Sequence, residues 1–271
     1  SVARRLKPRP RKACLDVKSQ VKYIQKYNDK VMTNMPALTM DQVRLLNSYS
    51  IYTTEPKRTL FTMEHILHRE FFHGDFANLM VGITGAATET AAVSHFTRRY
   101  GMFFALQFYM LAAYDEIWDG KVSDICFDVT EEYGVHTVGM FVNPNDWRYV
   151  DDDEREQVIS NILFKQGHEV MRQVRKTTTI SPLTIWENFF GYLVWHYHTL
   201  LSNPGLADQA MDDLEILESP KVWARFSDKS LFAEYTGGVH PSKLIDVPIR
   251  KSCCLSKDIP GLMACGHCPI Q

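Results

Sequence analysis

The chain has 271 residues, 45% of them hydrophobic and 23% charged, with a formal net charge of −2. That length and balance support a self-sufficient core and exclude a body with an overall bias toward nucleic acid. Six cysteines are too sparse for a disulfide-rich secreted scaffold, which points to a reducing compartment with thiols kept available.

Residues 1–13 read as a flexible basic arm carrying Arg4, Arg5, Lys7, Arg9, Arg11 and Lys12, in which Pro8 and Pro10 oppose helix formation. No apolar run follows it, so a secretory signal is not expected. The simplest reading is a solvated terminus. The sharper one is a peripheral contact with anionic lipid or an acidic redox partner. The expected location is cytoplasmic; on the sharper reading the arm touches the inner face of the membrane. The longest apolar stretches, 101–114 and 185–201, fall short of the ~20 residues a spanning helix needs, and Gln107, Glu187 and Asn188 interrupt them.

Residues 14–245 read as a mainly helical domain. A short helix is expected over 16–27, and Thr39 looks like the cap of a helix over 40–49. The stretch 62–118 has helical character throughout. The small residues Gly82, Gly85, Ala86, Ala87, Ala91 and Ala92 would let helices approach, and Phe103, Phe104, Phe108, Met110 and Leu111 suggest a helix buried all round. Over 123–130, Ile125, Phe127 and Val129 alternate with Cys126, Asp128 and Thr130, the period of a strand. A turn over 131–134 and a β-branched run over 135–142 complete a hairpin, closed by Asn143-Pro144-Asn145. Helical spacing returns after Asp151-Asp152-Asp153, acidic residues suited to a helix start. Ser181-Pro182 opens an aromatic helix to 201, and a more exposed helix covers 207–217. The fold class expected is α+β, predominantly α-helical, with an inserted β-hairpin and a loop-rich C-terminal segment over 246–271.

That last segment holds Cys253, Cys254, Cys265 and Cys268, spaced C-C-x10-C-x2-C. Four thiolates at one point make a soft-metal site. Cys265-Gly266-His267-Cys268 suits a zinc knuckle, but adjacent Cys253 and Cys254 tend to point apart and are awkward on one tetrahedral ion. A bend in the backbone, or a larger unit with two metal atoms, accommodates them better. Gly261 and Gly266 would let the backbone approach cluster sulfides, and Arg250 and Lys251 would offset its negative charge. Spacing alone leaves an iron–sulfur cluster, zinc and a redox thiol pair open, in that order. Outside the motif, Cys126 reads as a small buried hydrophobe; inside the C-x-x-C, His267 reads as a solvated loop residue, a hydrogen bond to a cluster sulfur being the sharper alternative. His196 and His198 do not share a helix face and read as structural. The stripe Trp186, Phe189, Phe190, Leu193, Tyr197 reads as core, and Asp151–Asp153 as a helix-start patch rather than a cation site.

Arg250-Lys251-Ser252-Cys253-Cys254-Leu255, followed by Cys265-Gly266-His267-Cys268-Pro269, resembles the C-terminal signature of the FhuF-like ferric siderophore reductases in order, spacing and terminal location. The resemblance is specific over about 20 residues and one of length and helical character elsewhere. It implies a 2Fe-2S cluster held by Cys253, Cys254, Cys265 and Cys268, and an oxidoreductase acting on chelated iron. No catalytic residue beyond the cluster is implied. Substrate contacts at Arg250 and Lys251 and a siderophore-binding role for 14–245 are expected. Neither a flavin nor a nicotinamide motif is evident, so the expected donor is an external ferredoxin or flavin reductase. An iron–sulfur sensor and a zinc-stapled helical binding protein are the alternatives. The sequence carries no recognisable nucleic-acid motif, which weighs against the sensor.

Overall fold

A computed structural model describes residues 38–68, 75–132 and 134–270. The basic arm and the helix expected over 16–27 lie outside the described residues. Helix α1 (Met40–Ser48) begins where the sequence indicates. The Thr39 hydroxyl accepts from the Gln42 amide at 3.3 Å, and the Thr39 amide donates back to Gln42 Oε1 at 2.7 Å. This reciprocal cap satisfies amides that a helix start leaves without partners.

The stretch 62–118 is not one helical region. It divides into α2 (Met63–Leu67), α3 (Asp75–Thr84) and α4 (Glu89–Tyr114), and it ends in a strand, β3 (Glu116–Trp118). The cause lies at Asp115, which ends α4 in the left-handed conformation at φ 53. That reversal lets β3 pair antiparallel with β6 (Trp147–Tyr149), Trp118 opposite Trp147. Within α4, 19 of 26 residues are buried, so it is the central helix the all-round apolar sequence predicts.

The hairpin forms between β4 (Cys126–Glu132) and β5 (Val135–Phe141), with Gly134 at φ 78 in a turn shorter than expected. It belongs to a four-stranded sheet, together with β1 (Ile51–Tyr52), which is parallel to β5, and β2 (Phe61–Thr62), which is antiparallel to β4. Phe61 stacks on Phe127 at 4.7 Å between centroids. Val129 is 43% exposed, so the face expected to be apolar runs out of cover before the turn. Cys126 is only half-buried, its thiol donating to the Asp124 carbonyl at 3.5 Å. It is not the buried hydrophobe expected, because its alternation places it on the opposite face from Phe127.

After the exposed acidic run, α5 (Arg155–Asn161) passes through a π-helical stretch (Ile162–Glu169) into α6 (Val170–Val174). A side chain at Gly167 would meet the Trp186 ring at 2.8 Å and Phe104 at 3.1 Å, so close packing occurs inside the irregular turn. Ser181 accepts from the Leu183 amide at 3.2 Å, and Pro182 opens α7 (Pro182–Leu201) as expected. Then follow α8 (Ala207–Glu218) and α9 (Leu231–Thr236). Past Gly237 the described residues contain only 3-10 turns, the loop-rich tail predicted.

The fold is thus α+β and predominantly helical. Helices α4 and α7 pair at its centre, where a Cβ on Gly101 would sit 2.9 Å from Phe189 Cδ1 and 3.0 Å from the Asn188 carbonyl. Residues 36–271 form one unit, so the cysteine segment packs with the helices. Among the described residues no helix is long and apolar enough to cross a membrane.

Candidate metal centre

The polar groups that interrupt the apolar sequences of α4 and α7 hold the cysteine segment. On α7, Glu187 is 1% exposed. Its carboxylate accepts from the Lys251 amide at 2.7 Å, from the Ser252 amide at 3.0 Å and from the Ser252 hydroxyl. Beside it, Asn188 donates to Thr97 Oγ1 at 2.7 Å and to Ser94 Oγ at 3.1 Å, and its oxygen accepts from Arg250 at 2.9 Å. Ser94 Oγ donates to the Cys254 carbonyl at 2.8 Å. A seam of buried hydrogen bonds therefore runs from α4 through α7 to the chain just before the first cysteine pair. Satisfied in this way, buried polar groups fix a single arrangement.

The backbone bends where adjacent cysteines require it. Leu255 is left-handed at φ 60, and its amide donates to Cys253 Sγ at 3.3 Å. Cys254 is buried and Cys253 half-buried. The Cys254 Sγ lies 3.1 Å from Ser256 Oγ, and Ser256 accepts from Arg98 of α4. Across the loop, the Cys268 amide donates to the Cys265 carbonyl at 3.0 Å, closing the C-x-x-C turn.

The fold brings the Cys254 and Cys265 thiols into hydrogen-bond contact. The Cys254 thiol is pulled well below its ordinary range, first by the hydrogen bond from Cys265, with the Arg98 charge and Ser256 adding to it against burial. Cys265, as donor, is pushed up. Among the described residues no group of three or more His, Cys, Asp or Glu closes on a single-ion position. The donor set nevertheless suits an anionic cluster: soft sulfurs, a backbone N–H on one of them, a hydroxyl on another and an arginine beside them.

Arg250 is buried rather than offered to solvent, and its guanidinium is occupied by Asn188, the Ser252 carbonyl at 3.1 Å and Glu187 at 3.8 Å. Lys251 is exposed, and its side chain borders a smaller hollow with Tyr235. Gly261, at φ 80, packs against Val135, where a Cβ would meet Cγ2 at 2.8 Å; it serves a turn. His267 is half-buried, and its Nδ1–H donates to the Val247 carbonyl at 2.9 Å.

A cavity of about 330 Å3 opens beside the C-x-x-C turn. Tyr49, Tyr192 and Trp195 form its aromatic wall, and Arg98, Arg250, Glu187 and Asp246 its charges, with Cys265, Gly266 and His267 along one side. His196 lies behind, packed against Tyr49 and Tyr109 at ring distances of 5.2 and 5.3 Å, with burial lowering its pKa to about 3. It is structural, as expected. The sequence reading missed Arg98, Ser94 and Ser256. Glu187 and Asn188 were visible only as polar breaks in an apolar run.

Comparison of the chain with family models, curated proteins and solved structures gives no match.

Proposed function

We propose that this chain is a ferric siderophore reductase of the FhuF-like kind, with a 2Fe-2S cluster on Cys253, Cys254, Cys265 and Cys268. The observation that carries the reading is the contact between the Cys254 and Cys265 thiols beside an aromatic-walled cavity that Cys265 itself lines. When bound, the cluster supplies one electron at a potential within the roughly −700 to +450 mV range of such groups.

The substrate is Fe(III) held by hard oxygen ligands. The same ligands bind the larger, less charged Fe(II) far more weakly, so a single electron releases the iron. The protein needs no acid–base step on the chelator; its residues place and enclose. Tyr49, Tyr192 and Trp195 offer flat apolar faces to the organic frame of a chelate. Cys265, Gly266 and His267 border the same cavity, so a chelate seated there lies against the cysteine loop. Glu187, Asn188 and Arg250 keep that loop from shifting, because its backbone is bonded to buried groups of α7. Lys251 acts at a distance, by attracting an anionic chelate. The electron comes from an external ferredoxin or flavin reductase.

The test is anaerobic reconstitution followed by metal and sulfide analysis with a visible spectrum. Equal iron and acid-labile sulfide with charge-transfer bands, lost in C254S and C265S, supports the reading. Zinc without iron favours a zinc-stapled binding protein, and the reading fails.

A further inference from the structure

Among the described residues three arginines are buried, and Arg98 of α4 is half-buried. Arg99 forks onto Glu132 at 2.6 Å, Arg155 forks onto Asp213 at 2.7 Å, and Arg250 lies 3.8 Å from Glu187. Each is balanced by a carboxylate. Arg98 is not: among the described residues no carboxylate pairs with it. It bonds instead to the Tyr192 hydroxyl and Ser256, with the Cys254 and Cys265 sulfurs within reach of its charge. A partly buried cation is stabilised by an anion close by.

The geometry is a relay. Ser94 and Arg98 stand one turn apart on α4, so they share a face. Ser94 holds the Cys254 carbonyl, and Arg98 donates to Ser256 Oγ, which touches Cys254 Sγ at 3.1 Å. Arg98 and Tyr192 also line both the 330 Å3 cavity and a second one of about 170 Å3. The guanidinium therefore stands between the cysteine loop and the space beside it.

We propose that Arg98, tethered through Ser256 to Cys254, is a positioning residue that raises the reduction potential of the cysteine site. This rests on the reading of the four cysteines as a cluster site. A cluster that accepts an electron gains a negative charge, and net charge and hydrogen bonds to its sulfurs set its potential. A fixed cation one hydroxyl away favours the reduced form. It also leaves the site less reducing than it would otherwise be, which matches its driving force to chelates that are themselves reducible.

The experiment is a redox titration, followed by visible absorption, of reconstituted wild type, R98M, R98K and S256A. R98M is expected to shift the one-electron equilibrium at least tenfold toward the oxidised form, a midpoint about 59 mV lower. R98K, which keeps the charge, stays within threefold of wild type, and S256A gives a smaller shift of the same sign as R98M. A purely structural Arg98 would be mimicked no better by lysine than by methionine, so R98K as low as R98M overturns the proposal. An unchanged midpoint in R98M overturns it too. If R98M takes up no cluster, the S256A shift decides, and its absence overturns the proposal. Wild type that takes up no cluster overturns the underlying reading as well. Loaded wild type with a midpoint indifferent to these changes overturns this inference alone.

Discussion

Glu187→Gln tests the claim that α7 clamps the cysteine loop. The Glu187 side chain is 2% exposed and accepts two backbone amides, at 2.7 and 3.0 Å, besides the Ser252 hydroxyl. Each hydrogen bond to a charged group contributes about 1.5–3 kcal/mol. Glutamine keeps one acceptor oxygen and turns an NH2 toward a donor, so at least one loop amide loses its partner. The substitution also leaves the Arg250 guanidinium, 4% exposed, without its carboxylate; breaking a buried pair in this way costs about 3–5 kcal/mol. Because Asn188 and two carbonyls still hold Arg250, the lower end applies, and a loss of about 3 kcal/mol is expected. Against a total stability of about 5–15 kcal/mol this is readily measured by urea unfolding. Amide exchange at Lys251 and Ser252 should accelerate more than exchange in α4. A loss below about 0.5 kcal/mol, within the range of an ordinary surface change, with unaltered exchange at both amides, would refute the clamp.

Other outcomes follow from the same packing. Gly101→Ala drives a methyl into Phe189 and the Asn188 carbonyl, and thermal unfolding should show a loss of about 1–3 kcal/mol from overpacking. Arg155→Met strands Asp213, which is 1% exposed; chemical denaturation should register about 3–5 kcal/mol. Burial lowers both His95 and His196 from 6.5 to about 3, with Arg98 and Arg99 adding to the effect at His95. Each is neutral when folded and takes a proton on unfolding below pH 6.5, so stability present above that pH is lost as it falls. The loss at pH 5 is about 2 kcal/mol per histidine. His196→Phe should remove about half of it, and an unchanged pH slope in that variant would contradict the assignment.

What the sequence disclosed follows from how local each signal is. The Thr39 and Ser181 caps and the alternation of β4 lie within a few residues, and they were legible. Strands β1 and β2 have two residues each, too short for any period, and β3 exists because Asp115 reverses the chain and Trp147 lies opposite. The cysteine spacing announced a metal-type site, but the contact of Cys254 with Cys265 needed the fold. Glu187 and Asn188 stood out as polar breaks in an apolar run, a signal that reads equally as a spoiled membrane span or a buried anchor; only the position of 250–254 decides between them. Arg98 left no local trace, since its partner Ser256 lies 158 residues away.

The most direct test is a single-turnover stopped-flow experiment. Anaerobically reduced, cluster-loaded protein is mixed with one equivalent of a ferric trihydroxamate chelate in the presence of an Fe(II) trap. The account predicts that cluster reoxidation and trapped Fe(II) appear together in equal amounts, and that Trp195→Ala slows both by raising the chelate concentration needed. Fully loaded protein that stays reduced in the presence of the chelate would contradict the central claim.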